Sequence, residues 1–467
     1  MGVAVSNWRL ARTVSQLGQL GVLSGTLLAV VFARRLQAGD PGGHMAHALS
    51  HFPVPAVAER LMATYYVPGG KPADAPYKSV TMPGVAPSTQ LVELIAAANF
   101  AEVFLAKQGH TNPVGINLLE KIQVGTLASL YGAMLAGVDY VLMGAGIPRA
   151  IPGTIDRFAA GEPADLKIDV EGAAAGGEAI ARLDPSVLFA GAAPKLQRPQ
   201  FLAIISSATL AATLVKKSNG RVDGFIVEGD LAGGHNAPPR GPMQLSAAGE
   251  PIYGPRDVPD LVKIAELGLP FWLAGSYGDA GKLAAARQLG AVGIQVGTAF
   301  AFCDESGIEP GLKQEVYRLA RAGQARVYTD PLASPTGFPF KVVQMEGSLS
   351  TAETYDARTR VCDLGYLRQA YLKTDGAIGF RCAAEPEDDF IRKQGDPAAL
   401  AGRKCLCNGL LATVGLGQAR GDGTTEPPIL TAGNEISQLA RFLPEGANGY
   451  SAADVVRSLL TPPVAGA

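Results

Sequence analysis

The chain has 467 residues, of which 47 % are hydrophobic and 18 % are charged, and its formal net charge is −2. This composition can bury a large core, and its mixed charges give no reason to expect a nucleic acid or a membrane surface as partner. None of the five cysteines precedes Cys303, which is not the framework of a small secreted domain, so a cytoplasmic protein is expected. The apolar run at 20–33 is too short to span a bilayer, and we interpret it as a strand leading into a buried helix rather than a secretory signal.

Strands and helices alternate along the first 300 residues. The predicted strands cover 2–7, 19–24, 101–106, 114–118, 140–144, 201–206, 224–229, 270–275 and 293–297. The predicted helices cover 9–17, a segment ending near 37, 91–98, 119–136, a segment after 206, 258–267 and 281–289. A long excursion rich in Gly and Pro occupies about 40–89, and an insert at 151–199 is predicted to carry a hairpin.

Repeated β-then-α units predict a parallel sheet with helices outside it, and about eight such units favour a closed (β/α)₈ TIM barrel. An open doubly wound sheet is the alternative, but no Gly-x-Gly-x-x-Gly follows the first strand. We assign the barrel to residues 1–303, with an insertion after the second strand at about 40–89. Residues 304–467, which contain four of the cysteines, are too apolar for a disordered tail and are predicted to pack on the barrel as a C-terminal region.

Two glycine-containing loops follow the last two predicted strands. One contains Gly275 and Ser276, and the other, about twenty residues later, contains Gly297 and Thr298. Glycine lets the backbone approach a ligand closely, and free N–H groups at the start of a helix attract phosphate. Either loop alone is more typical of an ordinary turn. Together, at the end of the alternation, they favour a phosphate site, because barrels bind phosphate after strands seven and eight.

A histidine ends an earlier strand. Gly233 and Gly234 precede His235, which places an imidazole at the carboxyl-terminal mouth of the predicted barrel. Histidine changes charge near neutral pH and can therefore accept or donate a proton. A lone histidine is more often structural, but its position one unit ahead of the phosphate loops favours contact with a substrate.

At these residues the chain resembles the nitronate monooxygenase (2-nitropropane dioxygenase) family, which shares its fold and motifs with the FMN-dependent enoyl-acyl-carrier-protein reductases. The resemblance spans residues 2 to about 342. It rests on Gly21–Ser24, Val114–Asn117, Gly144–Pro148, Glu228-Gly229, Ala232–His235, Ala274-Gly275, Gly290-Ala291, Gln295–Thr298, Glu305-Ser306 and Lys313.

The resemblance implies an enzyme that uses FMN and acts on a small-molecule substrate. It places Gly233, Gly234, Gly275, Ser276, Gly297 and Thr298 around the FMN phosphate. It places Asn7, Asn117 and Gln295 near the flavin ring or the ribityl chain. His235 would take a proton from the carbon that bears the nitro group, or steady the anionic nitronate. Assembly as a homodimer is compatible with the sequence.

The chain departs from the family in several places. Leu231 stands where relatives often have an acidic residue, Ser6-Asn7 replaces Pro-Met, and 236–240 is unusual after the histidine. Three functions therefore stay open. The first is oxidation of nitronates or nitroalkanes by oxygen. The second is FMN-dependent reduction of an enoyl or quinone substrate by NAD(P)H, and the third is a non-catalytic flavin- or metal-binding module.

Two further groups of side chains could hold a metal. Cys362, Cys382, Cys405 and Cys407 lie in the C-terminal region, but they include no C-x-x-C pair. Buried apolar thiols, a zinc or iron–sulfur site and a disulfide are the alternatives for them. The histidines at 44, 47 and 51 would share one helix face, for which solvent exposure is the better interpretation. Arg240 is either an exposed turn residue or a guide for an anionic substrate.

Overall fold

The computed structural model describes residues 2–174, 177–189 and 191–461. Its strands in chain order are β1 (Gly21–Ser24), β2 (Val114–Leu119), β3 (Tyr140–Gly144), β4 (Ala164–Ile168), β5 (Val170–Glu171), β6 (Ala179–Leu183), β7 (Gln200–Ile205), β8 (Gly224–Glu228), β9 (Phe271–Ala274), β10 (Gly293–Gln295), β11 (Val327–Asp330), β12 (Phe340–Val343), β13 (Gln369–Leu372) and β14 (Ile378–Arg381).

The helices follow the same order. They are α1 (Trp8–Gln16), α2 (Leu28–Gln37), α3 (His44–Leu49), α4 (Pro55–Tyr65), α5 (Thr89–Lys107), α6 (Thr126–Leu135), α7 (Ile151–Ala159), α8 (Ala208–Lys217), α9 (Leu261–Ala265), α10 (Ala280–Gln288), α11 (Thr298–Ala301), α12 (Pro310–Arg321), α13 (Ala352–Ala357), α14 (Glu387–Arg392), α15 (Leu406–Thr413) and α16 (Ala452–Leu460). Short 3₁₀ helices cover Pro185–Leu188, Pro255–Asp257, Pro397–Leu400 and Asn434–Phe442.

A seven-stranded parallel sheet in the order β1-β2-β3-β7-β8-β9-β10 forms the centre of the fold. Its strand order follows the chain, and helices separate most successive strands, so the predicted parallel α/β sheet is confirmed. One face of the sheet gathers side chains from distant strands: Val22 of β1 and Trp272 of β9 pack on the same small cluster as Leu142, Leu202 and Ile226. Because β1 and β9 are far apart in the strand order of the sheet, their side chains can meet in one cluster only if the sheet is curled.

The predicted first strand is wrong. Residues 2–7 form turns, and Ala4 has a left-handed backbone with φ of 49°. The segment nevertheless lies beside β1, since Ser6 Oγ donates to the Val22 carbonyl at 2.6 Å and Ser24 N–H donates to the Ser6 carbonyl at 2.8 Å. Within the described residues the sheet therefore has seven paired strands rather than the eight expected of a complete (β/α)₈ barrel.

The strand predicted at 101–106 is also wrong, because these residues continue α5. Fifteen of the nineteen residues of α5 are buried, since the helix packs against α1, α2, α3 and α6. An element that is apolar on all sides has no clear period, so its sequence does not separate a buried helix from a buried strand. By length and composition α5 is the one helix among the described residues that could cross a membrane, but 83 % of its apolar window is buried inside the protein.

The predicted excursion and insert have structure of their own. The excursion at 40–89 contains α3 and α4. The insert contains α7 and the predicted hairpin, in which β4 pairs antiparallel with β6. The short strand β5 leaves this insert to pair with β13, which itself pairs antiparallel with β14. The pairing of β5 with β13 thus connects the insert to the chain after residue 304.

The chain after residue 304 packs on α1 and on the end of the sheet. Leu10 and Val14 of α1 share a buried cluster with Val316 of α12 and Val455 of α16. Further along, β11 and β12 form an antiparallel pair. Phe340 of β12 also forms an antiparallel bridge with His235 in the loop after β8. These contacts bring residues from the far end of the chain to the carboxyl ends of the sheet strands.

Candidate active site at the carboxyl ends of the strands

Two neighbouring cavities open at the carboxyl ends of the sheet strands. The larger cavity, of about 390 Å³, is lined by Gly275, Ser276, Gly297 and Thr298, and extends among the apolar side chains inside the curled sheet. The smaller one, which we call the histidine cavity, measures about 90 Å³ and is lined by Asn117 and His235, among others. Four residues line both cavities and form the wall between them: Glu228, Gly233, Gly234 and Gln295. Most of the predicted site residues are therefore brought together.

The exception is Asn7. Its side chain caps α1, accepting hydrogen bonds from Arg9 N–H at 2.9 Å and Leu10 N–H at 3.1 Å. Asn7 is absent from the described walls of both cavities. An asparagine before a helix is a strong N-cap by itself, and its sequence gives no means to separate that role from ligand binding.

The loop after β9 adopts a conformation that only a small residue allows. Gly275 has φ of +99°, and a Cβ there would lie 3.3 Å from the Ala232 nitrogen and the Gly229 carbonyl oxygen. The next residue, Ser276, is also left-handed, with φ of 59°, and its buried hydroxyl has no hydrogen-bond partner among the described residues. Such strain is typical of functional loops. The N-terminus of α10 is not free, because Asp279 caps it by accepting from Lys282 N–H at 2.8 Å.

A segment of the C-terminal region, Thr431–Glu435, lies across the loops after β8, β9 and β10. Thr431 Oγ1 accepts from Gly234 N–H, and Thr298 Oγ1 accepts from Gly433 N–H, each at 2.9 Å. The buried carboxylate of Glu435 accepts from Gly278 N–H in the predicted phosphate loop. More than 130 residues separate these partners along the chain, so sequence reasoning had no signal for them.

His235 is half-buried beside the C-terminal region. Its Nε2 lies 2.7 Å from Ser334 Oγ, and its ring packs edge-on against Phe340 with centroids 4.9 Å apart. Burial lowers the pKa of His235 to about 3, so the imidazole is neutral at physiological pH. The Ser334 hydroxyl also lies 2.8 Å from Thr336 Oγ1. Because it can donate to only one of these neighbours, the direction of that bond selects the tautomer of His235.

Glu228 is a candidate that sequence reasoning passed over as a site residue. It ends β8 and lines both cavities, where burial raises the pKa of its carboxyl to about 7. A carboxyl with a pKa near neutrality, in a cavity that an imidazole also lines, is typical of acid–base chemistry. Its position before the glycines after β8 was visible in the sequence, but its protonation depends on burial, which the sequence does not reveal.

The remaining predicted groups lie apart from this site. The imidazoles of His47 and His51 pack on each other with centroids 4.8 Å apart, and His51 stacks on Phe104. Arg240 is exposed and donates to the Ser206 carbonyl at 3.1 Å. Neither group contributes to the described walls of the two cavities.

The fold and the cavities define a parallel α/β protein with a candidate ligand site at the carboxyl ends of its strands. Residues 189–326 match the nitronate monooxygenase family, and this segment carries β8 to β10 with their loops. The resemblance recognised from the motifs is confirmed over this segment, which is similar to the nitronate monooxygenase family.

Individual relatives agree over similar lengths. The chain is 32 % identical over 151 residues to a probable nitronate monooxygenase of Staphylococcus saprophyticus, covering 32 % of this chain and 39 % of that protein. It is 32 % identical over 184 residues to a nitronate monooxygenase of Paraburkholderia phytofirmans, covering 38 % of this chain and 46 % of that protein. The chain thus matches less than half the length of these curated relatives.

Solved structures resemble the chain over nearly its whole length, with low scores. FabK from Thermotoga maritima has a TM-score of 0.48 at 14 % identity, covering 98 % of this chain and 90 % of that one. The nitroalkane oxidase from Streptomyces ansochromogenes has a TM-score of 0.46 at 16 % identity, covering 98 % and 92 %. These values are too low to establish a common fold.

Replacing Glu228 by glutamine should change stability in a pH-dependent way. The folded pKa of about 7 exceeds the ordinary 4.5, so ionising Glu228 destabilises the fold increasingly as pH rises from 4.5 to 7. Glu228→Gln removes that cost. Relative to the unmodified protein, its free energy of unfolding should rise by up to about 3 kcal/mol at pH 8 and stay nearly unchanged at pH 4. Urea unfolding of the cofactor-free proteins at both values measures this.

The matched control for that experiment is Glu315→Gln. The Arg318 guanidinium lowers the pKa of Glu315, so loss of this carboxylate should not stabilise the protein at pH 8. If Glu228→Gln gives the same stability difference at pH 4 and pH 8, the Glu228 carboxyl is not shifted by burial.

Proposed function

We propose that the chain is an FMN-dependent oxidoreductase that oxidises nitronates with oxygen. The observation that supports this most is that the segment related to nitronate monooxygenases contains the Gly-Gly-His turn and both glycine loops, all of which line the two cavities. FMN, when bound, would accept electrons from the nitronate and pass them to oxygen.

Two features of the wall of the larger cavity suit the binding of FMN. The Ser276 hydroxyl is buried without a partner among the described residues, and the position of a Cβ on Gly297 is open space. A phosphate would accept hydrogen bonds from Ser276 and Thr298 and from the backbone at Gly275 and Gly297. Gln295, which lines both cavities, would contact the part of the ligand nearest the wall.

The histidine cavity supports a nitronate rather than a neutral nitroalkane as substrate. An imidazole whose pKa is about 3 is a poor base for a carbon acid, but its N–H is a hydrogen-bond donor to an anion. His235 would therefore steady the nitronate oxygens, with Ser334 holding its ring. Glu228, whose pKa is near 7, would hold or release the proton that the reaction needs at the wall between the cavities.

Purified protein should be yellow and should release FMN, not FAD, on heating. Gly297→Asp should abolish that flavin, because the new carboxylate would face the phosphate while the backbone, outside the left-handed region, accepts a side chain. Gly421→Asp, on an exposed loop with open space around it, is the control and should keep FMN. Chromatography of the released cofactor measures both, and FAD or an absence of flavin from all three proteins would contradict the proposal.

Glu435→Gln should tighten FMN binding about tenfold, because the Glu435 carboxylate and a phosphate would repel each other across the same loop. The amide oxygen of glutamine can still accept from Gly278 N–H, so the loop keeps its contact. Fluorescence titration of the cofactor-free protein with FMN gives the dissociation constant, with Glu315→Gln as an unchanged control. Weaker binding in Glu435→Gln would mean that the carboxylate contacts hydroxyls of the ligand instead.

His235→Ala should retain FMN and lose turnover of a nitronate by about two orders of magnitude or more, the usual effect of removing one hydrogen-bond donor to a developing anion. Ser334→Ala, which removes only the partner of His235, should cost less. Oxygen consumption with a nitronate and with the parent nitroalkane measures the effect. Unchanged turnover in His235→Ala would make the histidine structural, and anaerobic bleaching of the flavin by NADPH would favour the reductase that the sequence leaves open.

A further inference from the structure

Four cysteines from three separate stretches of the chain line one small cavity in the C-terminal region. Its wall contains Cys362, Cys382, Cys405 and Cys407, so four of the five cysteines of the protein meet there. All are free thiols, and all but Cys362 are buried. Cys382 directly follows β14, whereas Cys405 and Cys407 flank the start of α15.

Polar N–H groups lie near the sulfur atoms. The backbone N–H groups of Gly365 and Ala384 lie near Cys362 and Cys382, and those of Tyr366 and Leu367 lie near Cys407. Cys405 Sγ accepts from the Asn408 side-chain amide at 3.6 Å.

Each sulfur therefore has an N–H group nearby. Hydrogen bonds to sulfur are how proteins orient and tune the thiolate ligands of metals. A thiol that merely fills a core does not need them.

The turn that supplies several of these donors depends on one glycine. Gly365 has φ of +70°, and a Cβ there would lie 2.6 Å from Met82 Sδ and 2.5 Å from Arg368 Nε. The turn presents its N–H groups to both Cys362 and Cys407, two residues that are 45 positions apart. Glycine is thus required where the chain wraps around the sulfur atoms.

A positive charge accompanies the four sulfur atoms. The half-buried Arg368 guanidinium lies close enough to interact with Cys362, Cys382 and Cys407. It is held there by hydrogen bonds to the carbonyls of Gly365 at 3.0 Å and Pro83 at 2.7 Å. A cation that is partly withdrawn from water is stabilised by an anion that faces it, and metal-bound thiolates would be that anion.

We propose that Cys362, Cys382, Cys405 and Cys407 bind a metal centre through four thiolates, either a zinc ion or an iron–sulfur cluster. Both use Cys₄ ligand sets. In the described residues no three metal-binding side chains already surround a single ion position. A single ion would therefore require the four side chains to rotate about χ1 and bring their sulfur atoms closer together. An iron–sulfur cluster is larger, so its four sulfur ligands can lie farther apart.

The position of the centre gives it a structural task. Leu406 and Cys407 line the histidine cavity as well as the small cavity that the four cysteines line. A metal would thus fix the start of α15, and with it one wall of the histidine cavity.

The test is elemental analysis of the full-length, untagged protein, purified without oxygen or chelator. We expect about one equivalent of zinc, or about two to four of iron with matching acid-labile sulfide. Cys407→Ser and Cys362→Ser should lose most of that metal, whereas Cys303→Ser should keep it, since Cys303 is buried in a different cluster. Metal content is measured independently of flavin content and turnover. A protein without metal would therefore contradict the metal centre but not the proposed oxidoreductase function.

A second measurement covers the case in which the serine variants do not fold. Titration of the unmodified protein with a mercurial that reacts with thiols should release the metal in step with four thiols. Less than about a tenth of an equivalent of both zinc and iron would overturn the proposal. Equal metal in Cys303→Ser, Cys362→Ser and Cys407→Ser would overturn it as well.

Discussion

The hydrogen bonds between Thr431–Glu435 and the loops after β8 and β9 are the contacts on which the site depends. Those loops approach each other so closely that Gly275 has no room for a Cβ, and their backbone N–H groups need partners. Thr431 and Glu435 supply oxygen atoms for two of them. Without this segment the loops would face water, and the larger cavity would lose part of its wall.

Enclosure by the C-terminal region has the same electrostatic consequence for two different groups. Burial disfavours charge, so it raises the pKa of Glu228 and lowers that of His235. Both side chains are therefore largely neutral below pH 7, although one is an acid and the other a base. A site of this kind admits an anion at low cost, because the anion finds hydrogen-bond donors and no fixed negative charge on the histidine side.

The C-terminal region is attached to the rest of the chain at more than one place. The segment Thr431–Glu435 binds the strand-end loops, β13 pairs with β5 of the insert, and Val455 packs in one cluster with α1. The proposed metal centre would add rigidity between these attachments, since its ligands come from chain segments joined by few regular elements. Cys407 lines both the histidine cavity and the cavity that the four cysteines line. The metal centre would therefore also help to fix the shape of the histidine cavity.

Much of the parallel sheet could be predicted from the sequence, because β2, β3 and β7 to β10 are short apolar runs followed by turn residues, a local signal. The strand at 140–144 was predicted to the residue, and the hairpin in the insert was also expected. The motifs likewise identified the family, since Gly-Gly-His, Gly275-Ser276 and Gly297-Thr298 express local backbone requirements. Prediction failed where local signals were ambiguous. Residues 101–106 belong to a helix that is buried on nearly every side. Residues 2–7 lie beside β1 without joining the sheet as a strand, and the Ser6 hydroxyl bonds to the Val22 carbonyl.

The tertiary structure alone decided which distant groups meet. Glu435 reaches Gly278 over 157 residues, His235 meets Ser334 over 99, and four cysteines scattered from 362 to 407 line one cavity. It also decided the protonation of Glu228 and His235, because a pKa depends on how much water remains around a group. Local sequence determines backbone preference and apolar pattern, whereas contact between remote segments and exclusion of water are properties of the whole packed chain.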